Sequence, residues 1–262
     1  MCSELEAKTW TLKCSPMRTS ITTFLLVFAL TATAAAQNTS PQKPYDQMTL
    51  DEVTRFLFNS PWAQYHDKFT PNTQSRPETR NYPPGTNSFV HMRLYSALPI
   101  RQAIVRRMQL TIPYAQLGPA QRASYDEEVD GLLKCQYCAE YYIISLTSAR
   151  EDNLTMATRG DAVTIDAVAI MKRLPEAELL QHVSLLNDKG VRRNAERVLF
   201  TKKNEVVFLF RRFDDQGKAL INAGDKKFYV DFDEFLTKKS EEALKKFTFD
   251  VKKLVQGGAV IF

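Results

Sequence analysis

The sequence lacks the motifs that usually mark hydrolytic and nucleotide-binding sites. It contains no G-x-S-x-G turn, no H-E-x-x-H pair and no glycine-rich phosphate loop. Histidine is scarce as well, with three residues in the whole chain. One of them, His91, is predicted to lie half-exposed on the polar face of a strand, and the sequence places no nucleophile or orienting carboxylate beside it. We therefore expect no catalytic residue and no cofactor in this chain.

Clustered charge and long apolar segments are also absent after residue 36. The formal net charge of the full chain is +5 and the charged residues are spread along it, whereas nucleic-acid-binding proteins usually carry a clustered basic face. No later run is long enough to span a bilayer, which takes about 20 apolar residues. We expect neither a nucleic-acid partner nor a transmembrane segment in the mature chain.

The segment Met17–Ala36 has the three parts of an export signal. Arg18 supplies the positive start, Ile21–Leu30 supplies a short apolar core, and Ala34–Ala36 supplies a small-residue cleavage site. We therefore predict that the chain is exported to the periplasm or secreted, and that residues 1–36 are removed as leader and signal peptide.

Cysteine is nearly absent from the predicted mature chain. The leader carries Cys2 and Cys14 in residues 1–16, which are too acidic for the start of a signal and are expected to precede the true start of translation. Cys135 and Cys138 then remain, in C-x-x-C spacing, and an oxidising compartment favours a disulfide between them. Closing so short a loop stabilises a fold by roughly 2 kcal/mol.

Other interpretations of the C-x-x-C pair are weaker. A redox-active pair is the main alternative, but such pairs lie at the amino end of a helix, and this pair is predicted to follow a helix and begin a strand. A zinc site needs four ligands, and the chain has no second cysteine pair after residue 36. Haem attachment requires C-x-x-C-H, and position 139 is Ala139. We predict a local staple at a helix-to-strand junction, and no metal.

The patterns of apolar residues predict an α+β protein, with a mixed helix–strand N-terminal half packed against an antiparallel sheet or sandwich-like C-terminal half. Thr49 and Glu52 form a capping box that begins the first helix, and a later helix is expected over Pro119–Lys134. The predicted organisation after the leader is a disordered tail at 37–47, an N-terminal helix with a proline-rich connection at 48–86, a mixed α/β half at 87–181 and an antiparallel β half at 182–262.

Further elements follow from the same patterns. We expect a polar connection over His66–Thr86, a strand over Ser88–Ser96, a strand over Cys138–Thr147, a helix over Thr164–Leu174 and a buried strand over Val206–Phe213.

Four arginines form a candidate anion-binding cluster, because guanidinium groups match carboxylates and phosphates. These residues are Arg93, Arg101, Arg106 and Arg107. The alternative is a solvated helix face that pairs with the acidic helix that follows.

The mature chain resembles secreted bacterial proteins. The resemblance rests on S-P-W at Ser60–Trp62, S-A-L-P-I-R at Ser96–Arg101, the C-x-x-C pair followed by E-Y-Y, and F-D-V-K-K-L-V at Phe249–Val255. It carries no activity with it. We therefore expect a non-catalytic exported protein that binds another protein or an envelope component and contains a local disulfide. The alternative function is that of a thiol–disulfide redox protein that uses the cysteine pair.

The export signal predicts that the mature protein begins at Gln37. N-terminal sequencing of protein recovered from the periplasm or the medium, after expression of the full chain, should read from Gln37, because the alanine triplet before it is a typical cleavage site. A start at Met1 or Met17 in that fraction would contradict a cleaved signal.

Overall fold

The computed structural model describes residues 43–71, 85–148, 163–202, 204–240 and 243–262, and residues 43–262 fall in one compact unit. The predicted leader and residues 37–42 of the predicted tail lie outside the described residues. The described part has an α+β fold, which confirms the predicted fold class. Within it, no helix has the length and apolar character needed to cross a bilayer.

Helices and strands alternate along the first half and strands dominate the second. The helices are α1 (Leu50–Phe58), α2 (Leu98–Thr111), α3 (Pro119–Lys134), α4 (Ala167–Lys172), α5 (Glu176–His182) and α6 (Glu234–Lys239). The strands are β1 (Ala63–Pro71), β2 (Gly85–Leu94), β3 (Tyr141–Thr147), β4 (Val163–Ile165), β5 (Val183–Asn187), β6 (Arg192–Asn194), β7 (Arg197–Phe200), β8 (Glu205–Arg211), β9 (Lys227–Phe232), β10 (Phe247–Asp250), β11 (Val255–Gln256) and β12 (Ala259–Val260).

The first sheet has the strand order β1-β2-β3-β8-β7 with antiparallel neighbours, and β4 pairs parallel to β2. Strand β3 meets β8 from Tyr141 opposite Arg211 to Thr147 opposite Glu205. Strand β8, whose apolar run predicts burial on both faces, therefore lies inside the sheet. Strands from both sides of residue 182 build this one sheet.

The second sheet has the antiparallel order β10-β9-β5-β6, and β11 pairs with β12 in a separate hairpin. The chain passes from the second sheet to the first between β6 and β7. There the N–H of Ala195 donates to the carbonyl of Val183 at 3.0 Å, and the N–H of Glu196 donates to the carbonyl of Leu209 at 2.8 Å. Two consecutive residues thus bond to different sheets, so the sheets meet at this point.

One large apolar core is shared by the two sheets and the helices around them. It takes side chains from both sheets, among them Met92, Ile144, Phe208, Leu185 and Phe228. Trp62 is 2% exposed and donates its indole N–H to the carbonyl of Ile261 at 3.1 Å. Trp62 therefore ties the start of β1 to the C-terminal end of the chain.

The capping box at the start of α1 is present as predicted. The Thr49 hydroxyl accepts from the Glu52 N–H at 3.3 Å, and the Glu52 carboxylate accepts from the Thr49 N–H at 2.7 Å. Lys43 donates to the same carboxylate at 2.7 Å. The Lys43 hydrogen bond, followed by that of Thr49, lowers the pKa of Glu52 to about 2. Residues 43–47, predicted as tail, thus contact α1 and contain a 3₁₀ turn at Tyr45–Gln47.

Two elements differ from the sequence prediction. His66–Pro71 continue β1, where a connection was expected, because pairing with β2 supplies the main-chain hydrogen bonds that strand propensity alone does not predict. Val163–Ile165 form β4, and the following helix begins only at Ala167, because the Asp166 carboxylate caps it by accepting from the N–H of Ala169 at 3.0 Å.

Candidate functional site at the disulfide turn and the β7 edge

The cysteine pair forms a disulfide in the turn between α3 and β3, as predicted. Cys135 follows the last residue of α3 in the left-handed conformation, with φ of 44°, and its Cα lies 5.4 Å from that of Cys138. The N–H of Cys138 donates to the carbonyl of Cys135 at 3.0 Å, and the N–H of Tyr141 donates to that of Tyr137 at 2.9 Å. The turn is therefore closed by main-chain bonds as well as by the disulfide.

Helix α3, which precedes this turn, is only shallowly packed. Helical periodicity predicts that four of its residues face inward; these four are half-buried, and no residue of the helix is fully buried. These inward residues are Tyr125, Val129, Leu132 and Leu133. Periodicity thus identified the correct face, but the helix depends on contacts at its ends for its position.

Arg101 of α2 holds the carboxyl end of α3. Its guanidinium group donates to the carbonyls of Leu132 and Leu133, and to the carbonyl of Ser96 at 3.4 Å. The residue is 6% exposed, and burial lowers the pKa of its guanidinium group. A cation at this position satisfies carbonyls that have no partner within the helix and complements the negative end of the helix dipole.

Two of the other predicted anion-binding arginines, Arg93 and Arg106, also contact main-chain carbonyls, each at a different place. Arg93 donates from Nε to the carbonyl of Leu57 at 3.3 Å, and its guanidinium carbon lies 5.7 Å from the ring centroid of Phe58. Arg106 donates to the carbonyl of Met48 at 3.0 Å. Arg107 lies half-buried on α2. Anion binding by the four arginines stays a prediction, and the contacts of these three guanidinium groups are those of helix-end anchors.

His91 is buried, so the prediction of a half-exposed surface histidine is wrong. It is 1% exposed, its Nε2 lies 2.8 Å from the carbonyl of Leu57, and its ring stacks on Phe58 with centroids 4.3 Å apart. The end of α1 covers this part of β2, and the sequence of β2 alone contains no sign of that cover.

A second histidine, His182, contacts a carboxylate. Its Nδ1 lies 2.5 Å from Asp233, which also caps α6 by accepting from the N–H of Leu236 at 3.2 Å. Ser184 follows in β5, and its buried hydroxyl has no hydrogen-bond partner among the described residues. Ser184 is therefore not placed as a nucleophile for the histidine–aspartate pair. The pair joins the end of α5 to the start of α6.

A crevice of about 480 Å³ opens beside the third histidine, His66, and Asp67, Lys68 and Lys245 also line it. The His66 ring stacks on Phe247 with centroids 3.9 Å apart, and its buried Nδ1 has no hydrogen-bond partner. Burial, and secondarily the charge of Lys245, lower the pKa of His66 to about 4. Charges of both signs line the crevice, which indicates no single class of ligand.

The disulfide turn borders a small apolar cluster on the outer face of the first sheet. Its buried members are Cys138, Ile143 and Leu209. Half-buried side chains pack around them, namely Tyr95, Cys135, Tyr141 and Val207. The disulfide thus packs against β3 and β8 on the face opposite the main core.

This outer face continues to β7, the last strand of the first sheet. Leu199 of β7 lies opposite Val207 and is 51% exposed, and Phe200 is 39% exposed. Arg197 and Lys202 lie exposed on either side of them. We call Arg197, Leu199, Phe200 and Lys202 the edge surface. The sequence signal for it is the apolar triplet Val198–Phe200, which is preceded by Arg197 and followed by Thr201 and Lys202.

The described residues contain no group of three or more histidine, cysteine, aspartate or glutamate side chains arranged to hold a metal ion. Comparison with known proteins finds no matching family, no matching curated protein and no matching solved structure.

The Arg101 anchor predicts a specific loss of stability. Arg101→Met should lower the free energy of unfolding by about 2 kcal/mol, because it leaves buried carbonyls without donors. It should also speed amide exchange in the last turn of α3. Arg55→Met, at an exposed site on α1, is the matched control and should change the unfolding free energy by no more than about 0.5 kcal/mol in urea unfolding. Equal losses in the two variants would show that Arg101 is not an anchor.

The lowered pKa of His66 predicts a pH dependence of stability. Between pH 6.5 and about 4 the unfolded chain binds a proton that folded His66 does not, so the free energy of unfolding should fall as the pH decreases through this range. His66→Phe keeps an aromatic ring against Phe247 and removes the titration. Urea unfolding at pH 7 and pH 5 should therefore show a smaller loss for the variant than for the wild type. If the free energy of unfolding changes with pH equally in the two proteins, the lowered pKa of His66 is refuted, because the proteins share every other titratable group.

Proposed function

We propose that this chain is an exported, non-catalytic binding protein, that a partner protein contacts it at the edge surface, and that Cys135–Cys138 is a structural disulfide. The observation that carries the proposal is the pair of neighbouring apolar side chains exposed at the end of a sheet, Leu199 at 51% and Phe200 at 39%. Leu199 and Phe200 lie on opposite faces of the outermost strand, and large apolar residues exposed on an edge strand are typical of sites where another chain binds.

The position of the cysteine pair supports a structural role for the disulfide. Cys135 lies at the carboxyl end of α3, where the helix dipole disfavours a thiolate, whereas redox-active pairs place the reactive thiol at an amino end. Cys138 is 8% exposed and packs against Ile143 and Leu209. Reduction would therefore loosen the turn between α3 and β3 without producing an activated nucleophile.

The export part of the proposal rests on Met17–Ala36, and the structural disulfide is compatible with an oxidising compartment. A binding protein outside the cytoplasm requires a stable surface and does not require a cofactor. The edge surface and the disulfide turn border one outer face, so the disulfide also stiffens the neighbourhood of the proposed contact.

Site-specific crosslinking in the host tests this function. The full chain is expressed with a photo-reactive phenylalanine analogue in place of Leu199, and in a control in place of the exposed Lys252. We expect a discrete adduct from position 199 alone, with a partner that binds the wild-type chain after purification. Equal labelling from both positions, or none from position 199, would refute a partner at the edge surface.

The redox alternative is tested in the same host. Cys138→Ser leaves Cys135 alone, and a thiol–disulfide protein would then accumulate mixed disulfides with its substrates. We expect no such adducts on non-reducing gels. Their accumulation at Cys135 would favour the redox function over the structural one.

A further inference from the structure

The main-chain N–H and carbonyl groups of β7 point alternately toward β8 and toward the outer edge of the sheet. The N–H of Thr201 donates to the carbonyl of Glu205 at 2.8 Å, and Leu199 lies opposite Val207 in the same register. Because bonded and non-bonded pairs alternate in an antiparallel ladder, residues at odd positions of β7 bond to β8. Val198 and Phe200 therefore direct their N–H and carbonyl groups away from β8. Val198 is only 6% exposed, whereas Phe200 is 39% exposed, so the accessible main-chain groups are those of Phe200.

The start of this free edge is set by a β-bulge. The N–H of Glu196 donates to the carbonyl of Leu209, although Leu209 lies opposite Arg197 in the register. Two residues of the chain thus face one residue of β8, which is the geometry of a bulge. The bulge turns the chain out of the second sheet, so that β7 begins as the outermost strand of the first.

The opposite edge of the same sheet is covered. There the side-chain amide of Gln64 in β1 donates to the carbonyl of Thr248, and His66 stacks on Phe247. No strand of the described chain pairs with the outer side of β7. Unpaired main-chain groups at a sheet edge form a template for another strand.

Side chains on both faces of β7 suit an added strand. Leu199 lies on the outer face with Val207, and Phe200, the next residue, points to the other face. An extended segment beside β7 would cover part of both side chains and bury apolar area that is now in water. The N–H and carbonyl groups of the exposed Phe200 could bond to it.

Charge indicates what kind of segment fits. Arg211 bonds to Glu196 at 2.8 Å and Arg192 bonds to Asp231 at 2.9 Å, so these cations near β7 are neutralised. Arg197 and Lys202, at the two ends of the edge surface, are exposed, and among the described residues no carboxylate pairs with either. A second copy of β7 would bring two further cations, whereas an acidic segment would pair with them.

We propose that the free edge of β7 binds an extended acidic segment of a partner protein as an added strand. The proposal rests on the proposed binding function and names its mode and partner chemistry. Main-chain hydrogen bonds to Phe200 would hold the segment. Leu199 and Phe200 would contact its apolar side chains, and Arg197 and Lys202 would select its acidic side chains.

Three short peptides provide the first test on the wild-type protein. One alternates glutamate and valine, the second has lysine in place of glutamate, and the third is the acidic peptide with alternate main-chain nitrogens methylated. We expect the acidic peptide to bind and to slow amide exchange at Val198 and Phe200, measured by NMR. The lysine and methylated peptides should each bind at least about tenfold more weakly. Equal binding of the methylated peptide, or no binding of the acidic one, would overturn strand addition.

Substitutions at Phe200 distinguish the contribution of its main-chain N–H to peptide binding from that of its side chain. Phe200→Pro removes an N–H that points away from β8, so the ladder of the first sheet keeps its bonds, while Phe200→Ala removes the ring and keeps the N–H. The acidic peptide should bind Phe200→Pro several-fold more weakly than Phe200→Ala. If Phe200→Pro does not fold, the methylated peptide on the wild type decides the same point. Equal affinities in two folded variants would overturn the proposal.

Charge reversal tests the partner chemistry. The double variant Arg197→Glu with Lys202→Glu should bind the lysine peptide in preference to the acidic one. If the double variant still binds the acidic peptide in preference to the lysine peptide, the proposal of an acidic partner is overturned. Slow amide exchange at Val198 and Phe200 in the absence of peptide, together with a dimer in analytical ultracentrifugation, would show that a second copy of the chain occupies the edge. That result would also overturn the proposal of an acidic partner. If crosslinking from position 199 succeeds while no acidic peptide binds, the binding function stands and strand addition fails.

Discussion

The pairing of β8 between β3 and β7 is the constraint on which the rest of the structure depends. Alternate residues of β8 point in opposite directions, so Val206 and Phe208 enter the main core while Val207 and Leu209 face the disulfide turn. A shift of one residue would exchange these two sets. The same register leaves β7 as the outer strand and directs the main-chain groups of Phe200 to solvent.

The carboxyl end of α3 depends on this arrangement. The helix buries no residue fully, and its carboxyl end is held by the guanidinium group of Arg101 and by the turn that leads into β3. The disulfide closes that turn where the main chain adopts a left-handed conformation at Cys135. An arginine and a disulfide thus act on one helix end, and both place the turn against β3 and β8.

The outer face of the first sheet connects the disulfide turn with the proposed contact at β7. It runs from the disulfide turn across Ile143 and Leu209 to Leu199 at the edge. Near the turn its apolar residues are buried, and at the edge they are exposed. The apolar surface that the proposed binding function needs is therefore found at the β7 edge of this face and not near the disulfide turn.

Features that depend on neighbours within a few residues could be predicted from the sequence. The capping box joins residues three apart, the disulfide joins residues three apart, and the bounds of α3 follow from Pro119 and the periodicity after it. Each of these has its partner within one or two helical turns. The fold class followed from the same local patterns, because helix and strand periodicities alternate before residue 182 and strands dominate after it.

Features with distant partners were decided by the tertiary structure alone. Arg93 contacts a carbonyl 36 residues away, and Gln64 contacts one 184 residues away. The burial of His91 depends on such contacts, since its local sequence is equally compatible with an exposed strand face. The continuation of β1 through His66 depends on them as well, since that sequence is equally compatible with a loop. The exposure of Leu199 and Phe200 is likewise a property of strand order. Local sequence determines which residues alternate along a strand, but only the folded chain determines which strand is last.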